Sequence, residues 1–462
     1  MAPAPAAAQV DRTDALEIAA ATEQVRGERG PRTYLRAFPD DGRWRVSLYV
    51  SPSGREEAQV LVDARTGRVL EAWTGVQARW PMARGYPGAF GRAVNRPWIW
   101  IGLSVLFALP FLRGPPRMIH LDVAVLLAFG LSYAAFNAAE IGISVPSVYP
   151  LLVYLLGRML WVAWHPPAAP SVLRVPVAAL MFLIGVRIAL NLTGNVIDVG
   201  TASVIGADRI AHGEPLYGAF PDSVPRGDTY GPVTYAAYVP FELVLPPRAA
   251  AHAAALAFDL GCLALLWRIG GLLPAYLWAT YPFTLLVSAS GSNDSLVPLL
   301  VLAALLATGP ARGALVALAG LAKLAPLALA PLLVGRRPAV IAAFVITVAL
   351  VLAPFDLGTL YDRTIAFQAE RDSPFSVWGE AEAIQRGVQV AAAALAVAVA
   401  FVPRRRDLQV IAALAAAVLI AAQLGADHWF YLYLVWFVPL SWLALLGEAP
   451  ARSRRPAAAR RS

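Results

Sequence analysis

Residues 194–218, GNVIDVGTASVIGADRIAHGEPLYG, lie between two strongly apolar stretches yet carry Asp198, Asp208, His212 and Glu214. The polar segment runs on through GAFPDSVPRGDTYGP, so that Asp228, Tyr230, Gly231 and Pro232 lead directly into the next apolar run. Such a layout can hold one carboxylate near a lipid interface while the chain around it folds back. Two carboxylates in one loop also suggest a divalent metal. No His/Asp cluster of ligand spacing accompanies them, so the expectation is no cofactor, with a divalent metal as the lesser alternative.

Basic residues form the second set. Lys323 stands inside an apolar run, where a charge is costly and marks a functional site by default. Arg187, one helix before the acidic loop, has the same standing. The plainer reading of each is an internal ion pair, for Lys323 with Asp259 or Asp294. Arg363 and Arg371 fall in a second polar loop together with Trp378, and His428 stands at the edge of the last apolar run. Aromatic residues at a membrane boundary are commonly interface anchors, so Trp429, Tyr431, Tyr433 and Trp436 read as an aromatic belt. Cys262, the single cysteine, sits in an apolar helix and reads as a small buried hydrophobe. No intramolecular disulfide or zinc cluster can form from it.

The elements that must position these groups follow from composition. Of 462 residues, 58% are hydrophobic and 15% charged, against about 25% charged in an average soluble domain. Mean hydropathy is +0.59. A soluble chain could not hide this much apolar surface, which points to a polytopic membrane protein. The net charge of +8 does not indicate a nucleic-acid partner, because the arginines gather in short loops and in the tail ARSRRPAAARRS, residues 451–462. The opening residues MAPAPAAAQVDRTD show no basic-then-apolar signal peptide.

Residues 1–95 differ from the rest. DALEIAAATEQVRG (14–27) reads as a short amphipathic helix with Asp14 near its start. RWRVSLYV (43–50) and EAQVLVDARTGRVLEAW (57–73) alternate like strands, divided by the turns SPSG and ARTG. These make a small α+β domain. From Pro97 onward about thirteen apolar stretches are candidate spans: 97–112, 119–136, 146–164, 173–191, 232–246, 249–268, 272–289, 294–308, 313–334, 338–353, 384–402, 408–424 and 428–446. The pair within 272–308 reads as a broken or re-entrant element. RGPPR (113–117), GRRP (335–338), PRRR (403–406) and the tail mark the cytoplasmic side. The N-terminal domain and loops 192–231 and 354–383 then fall outside. Arg79, Arg84, Arg92 and Arg96 oppose this placement.

Two resemblances add to this reading. VDARTGRVLEA in the N-terminal domain is similar to the ending of PepSY-type domains, which implies a regulatory or interaction module. The larger resemblance covers about residues 170–450. An Asp shortly after an apolar helix, then GEPLYG, then YGP opening the next helix resembles the first external loop of the glycosyltransferase C superfamily. Within it the chain is most similar to polyprenol-phosphate-mannose-dependent mannosyltransferases of actinobacteria. SNDSLVPLLVLAALL (292–306), LAGLAKLAPLALAPLL (318–333), RDSPFSVWG (371–379) and HWFYLYLVWFVPL (428–440) agree with that pattern in order. Two features depart from it: three spans precede the one leading into the loop, and a soluble domain stands in front of them.

The resemblance implies an all-α polytopic membrane fold with that small N-terminal α+β domain, set in the plasma membrane. It implies transfer of a sugar, mannose first, from a polyprenyl-phosphate-linked donor to an extracytoplasmic lipid or glycan acceptor, with inversion. Asp198 is then the expected base, and Asp208 a residue that orients the acceptor or steadies the loop. Lys323, Arg187 and Arg371 are expected at the donor phosphate. His212, Glu214, Tyr230, Trp378 and His428 are expected at the sugars. The rival reading is a transporter or flippase of lipid-linked sugars that uses Asp198, Lys323 and Asp259 as a path. The lack of an internal repeat and the concentration of acids in one loop oppose it. A third reading, a membrane scaffold, leaves the charged loop and Lys323 without a role.

Overall fold

The computed structural model describes residues 10–85, 92–113, 115–221, 224, 226–369, 371, 373–379 and 381–447; the basic tail lies outside them. The chain divides into two compact units, Met1–Tyr86 with Ala134–Ile141, and the remainder.

The first unit joins two short helices to a four-stranded antiparallel meander. The helices are α1 (Arg12–Ala20) and α2 (Glu23–Glu28). Asp11 caps α1 by accepting the Thr13 and Asp14 N–H groups, and Asp14 accepts the Asp11 N–H in return. The one helix expected over 14–27 is therefore two, because Thr22 caps a new start after Ala20. The strands β1 (Thr33–Asp40), β2 (Arg43–Val50), β3 (Arg55–Asp63) and β4 (Val69–Thr74) lie in sequence order. In the turn between β3 and β4, the Asp63 carboxylate accepts the Arg65 and Thr66 N–H groups at 2.9 and 2.8 Å, while Gly67 adopts a positive φ of 68°. β1 is a strand that the alternation pattern missed. It is an edge strand, where Pro39 is tolerated. Every second residue of the sheet faces the helices, so Ala37, Val46, Leu48, Ala58, Val60 and Val62 close over Ala15, Ala19 and Val25.

The second unit is helical. In order it contains α3 (Pro97–Ala108), α4 (Met118–Asn137, whose last residues belong to the first unit), α5 (Ile141–Trp164), α6 (Val177–Leu192), α7 (Asp198–Ala211) and α8 (Pro247–Gly270). There follow α9 (Leu272–Thr280), α10 (Pro282–Ala289), α11 (Leu296–Leu306), α12 (Pro310–Ala322) and α13 (Pro338–Leu352). The last three long elements are α14 (Glu382–Ala398), α15 (Leu408–Leu424) and α16 (Leu434–Leu446).

Among the described residues, α4, α5 and α8 are each long and apolar enough to cross a membrane. A 24-residue helix such as α8 is about 36 Å long, against a hydrocarbon core of about 30 Å. Two bent pairs raise the number to five: α9 with α10, bent by 63°, and α13 with Leu357–Ala369, bent by 105°. Six other apolar helices are shorter. The protein is thus a helical membrane protein with a small N-terminal α+β unit, and its thirteen apolar stretches do not each become a long helix. Stretch 232–246 folds as two short turns, Pro232–Ala236 and Val239–Glu242, and 313–334 breaks after Ala322. The segment 272–308 is broken, as expected, but with a further break inside 272–289, where Pro282 opens a second helix. α15 and α16 are buried almost all round, as helices apolar on every face must be.

Candidate functional site

Asp198 is the first residue of α7, so the expected loop 192–231 contains a 14-residue helix. The start of that helix is fixed by close backbone approach. A Cβ on Gly194 would stand 1.9 Å from the Ala289 carbonyl oxygen, and one on Gly200 would stand 2.3 Å from that of Gly291. The Ile197 N–H donates to the Ser290 carbonyl at 3.0 Å, and Asn293 donates to Ser203 at 2.9 Å. α7 is therefore seated on the loop between α10 and α11. The Asp198 side chain is exposed, and its hydrogen bond is local, from the Val199 N–H at 2.9 Å.

The loop that seats α7 also supplies Asp294, which is buried. Asp294 accepts from Ser292 Oγ at 2.6 Å and from Trp436 Nε1 at 3.1 Å, and it lies 3.8 Å from Lys323 Nζ. Lys323 does not lie mid-helix as expected. It occupies the extended residue that ends α12, with φ −138°. A helix break there swings the side chain toward Asp294 and over the Tyr230 ring, with Nζ 4.0 Å from the ring centre. Asp259, the alternative partner, belongs to another pair.

Tyr230 is held by its neighbours. Gly231 packs so closely on Leu321 that a Cβ would stand 1.9 Å from the carbonyl oxygen, and Thr234 Oγ1 donates to the Ala322 carbonyl at 2.7 Å. The segment opening at Tyr230 is thereby clamped to the end of α12. Farther along, Tyr433 stacks on Trp436 with centroids 4.5 Å apart, and His428 meets Tyr433 edge-on. Ser373 Oγ lies 2.7 Å from His428 Nδ1. The charge of Asp198 acts on Tyr230, Lys323 and Tyr433, and that of Arg371 acts on Lys323, Tyr433 and His428. Of the residues singled out from the sequence, Asp198, Tyr230, Lys323, Arg371 and His428 thus form one electrostatic neighbourhood.

The others fall elsewhere. Asp208 follows Asp198 by ten residues on the same helix, a rise of about 15 Å. There it pairs with His212, Nδ1 to Oδ1 3.1 Å, while Glu214 lies 3.3 Å from Arg209. All three side chains are exposed, and they pair with one another or with Arg209 rather than with Asp198. A hydrogen bond to the Asp208 backbone, then the Asp208 charge, raise the His212 pKa above its ordinary value. Arg187 is wholly buried. Its Nε donates to Asp259 Oδ2 at 2.9 Å, its Nη2 donates to Asp259 Oδ1, and its Nη1 donates to the Ala279 carbonyl at 3.2 Å. It is thus the internal ion pair of the plainer reading, made with Asp259. Trp378 donates from Nε1 to the Leu424 carbonyl at 2.9 Å. Trp429, Tyr431 and Trp436 do not form the expected aromatic belt, because they are buried inside the protein. Their indole and phenol groups find internal partners such as Gln423 and Asp294.

The sequence pattern names Asp294 as a partner for Lys323, Tyr433 as part of the aromatic belt and Asp228 as a carboxylate at the start of the next apolar run, but it does not show what the three meet in the fold. Asp228 is fully buried and binds Arg363 in a fork, at 2.7 and 2.8 Å, while also accepting the Gly218 N–H at 2.7 Å. This pair ties two segments 135 residues apart, a separation across which no local pattern could join them. Among the described residues, no group of three or more His, Cys, Asp or Glu side chains converges as a metal site. Compared with known proteins, the chain matches no family model, no curated protein and no solved structure.

Proposed function

We propose that the protein is an integral, multi-pass membrane glycosyltransferase of the plasma membrane. On this reading it moves a sugar, mannose first, from a polyprenyl-phosphate donor to a lipid or glycan acceptor on the extracytoplasmic face, and Asp198 is the base. The observation that supports it is the pairing of an exposed, locally bonded carboxylate at Asp198 with a cationic and aromatic cluster of Lys323, Arg371, His428 and Tyr230. In the reaction, an acceptor hydroxyl attacks the anomeric carbon from the side opposite the phosphate. The carbon–oxygen bond to phosphate breaks, the bonding pair leaves with the phosphate, and Asp198 takes the hydroxyl proton. Lys323 and Arg371 supply positive charge for the departing phosphate. Buried charge pairs among apolar helices, Arg187 with Asp259 and Lys323 with Asp294, favour the second reading, a transporter or flippase of lipid-linked sugars.

The test is sugar transfer by purified protein in nanodiscs, with radiolabelled polyprenyl-phosphate-mannose and an actinobacterial lipid extract as acceptor. Asp198→Asn is expected to reduce transfer by about 10²- to 10⁴-fold without loss of folding. Transfer that survives in the variant overturns the role of Asp198. Absence of transfer with mannose and arabinose donors, with donor binding intact, favours the flippase.

A further inference from the structure

The segment that carries Arg371 also borders a cavity of about 590 Å3, within the size range of small-ligand sites. Its wall is polar. Ser376 and Trp378 come from the loop before α14, Glu382, Gln385 and Gln389 from α14, and Asp427 from the turn after α15. The spacing 382, 385, 389 sets three side chains on one face of α14. That face is braced from behind. Gln385 Nε2 donates to Asp427 Oδ1 at 2.6 Å and to the Gly425 carbonyl at 3.2 Å, and Gln389 Nε2 donates to the same carbonyl at 2.8 Å. Gly425 allows this closeness, since a Cβ there would meet Gln389 Cγ at 2.9 Å. The Trp378 ring is fixed by its Nε1 bond to Leu424 and by edge-on contact with Tyr149 at 5.9 Å.

These details select a ligand class. Both N–H groups of the Gln385 amide and one of Gln389 are engaged with the protein, which leaves their carbonyl oxygens and the second Asp427 oxygen to accept hydrogen bonds and one Gln389 N–H to donate. The charges on the wall cancel: Arg371 and Arg386 stand against Glu382 and Asp427, and Glu382 and Arg386 already pair at 3.1 Å. A wall rich in acceptors, without net charge and with one rigid indole, suits a neutral ligand that donates many hydroxyls and offers a C–H face for stacking. The cavity adjoins the charged cluster, because Ser373 bonds His428 and the Arg371 charge acts on Lys323.

We infer that this cavity binds the neutral saccharide portion of the acceptor, separately from the donor phosphate. The inference rests on the glycosyltransferase reading for the word acceptor, and on the cavity alone for saccharide binding. Saturation-transfer NMR and calorimetry on the full chain in nanodiscs test it, with mannobiose, an alkyl mannobioside and inorganic phosphate as probes. Mannobiose is expected to bind, phosphate is expected not to displace it, and Trp378→Ala and Gln389→Leu are each expected to weaken binding about tenfold or more. Gln389 is exposed, so its variant folds even if Trp378→Ala does not, and thermal unfolding checks both. Tighter binding of the alkyl form identifies a lipid-linked acceptor, and equal binding identifies a free glycan; both support the saccharide site. Failure of mannobiose to bind the folded wild type, or unchanged binding in both cavity variants, overturns the inference. Saccharide binding without any sugar transfer retains the cavity and removes the enzyme, whereas transfer unaffected by the cavity variants does the reverse.

Discussion

The Arg187–Asp259 pair separates a structural role from a phosphate-binding one. Arg187 is wholly buried between α6 and α8 and forks onto both oxygens of Asp259. Arg187→Met removes the fork and leaves Asp259, also fully buried, with the Trp278 Nε1 donor at 2.9 Å. Breaking a buried pair from one side costs about 3–5 kcal/mol, because a charge remains without its partner. Arg187→Lys keeps the charge but loses the fork and the bonds to the Ala279 carbonyl and Thr284, so an intermediate loss is expected. The double variant Arg187→Met, Asp259→Asn removes both charges while the Asn carbonyl still accepts from Trp278. It is expected to recover more than half of the loss, with a coupling energy of about 2–3 kcal/mol. Denaturant unfolding in detergent micelles, followed by near-UV circular dichroism, supplies the cycle. If the double variant is as unstable as the sum of the singles, the pair does not act as a unit. If the well-folded double variant also loses donor binding, Arg187 serves the phosphate after all.

Four further outcomes concern other parts of the fold. Gly231→Ala drives a Cβ to 1.9 Å from the Leu321 carbonyl oxygen and is expected to cost about 1–3 kcal/mol. Gly185→Ala, in mid-helix with nothing within 4 Å, is expected to be neutral or to stabilise by up to about 1 kcal/mol; paired unfolding curves decide. Asp228→Leu leaves Arg363 without its fork and the Gly218 N–H without its acceptor, so limited proteolysis is expected to cut between residues 216 and 229 at least several-fold faster. The raised pKa of His212 predicts protonation that persists above the ordinary value. A raised folded-state pKa stabilises most below the unfolded value of about 6.5, and that contribution fades as pH rises through the folded value. NMR titration of His212 is expected to show a midpoint above 6.5 that falls, but not fully, in Asp208→Asn, because the backbone bond remains. An unshifted wild-type midpoint refutes the Asp208 contacts.

The sequence by itself determined the solvent in which this chain works and where its helices fall. Apolar runs are local and cumulative, so α4, α5, α8 and α15 stand almost where hydropathy put them. Strand alternation and the Asp63–Gly67 turn are local too, which made β2, β3 and β4 legible. The charged residues were legible as costly exceptions, and Asp294 was one of two partners open to Lys323; the choice between Asp294 and Asp259 was not legible. Lys323 was visible as a charge in an apolar run, whereas the break at the end of α12 that delivers it to Asp294 and Tyr230 depends on Gly231 and Thr234 packing against Leu321 and Ala322. Asp198 and Asp208 were expected to serve one site from a single loop, but the segment between them is helical and sends them toward opposite ends of α7. Trp429, Tyr431 and Trp436 looked like interface anchors because composition reports polarity and size but not which neighbour fills the space beside them. Ion pairs and close backbone approaches join segments roughly 30 to 140 residues apart, and only the folded chain brings their two halves within hydrogen-bonding reach.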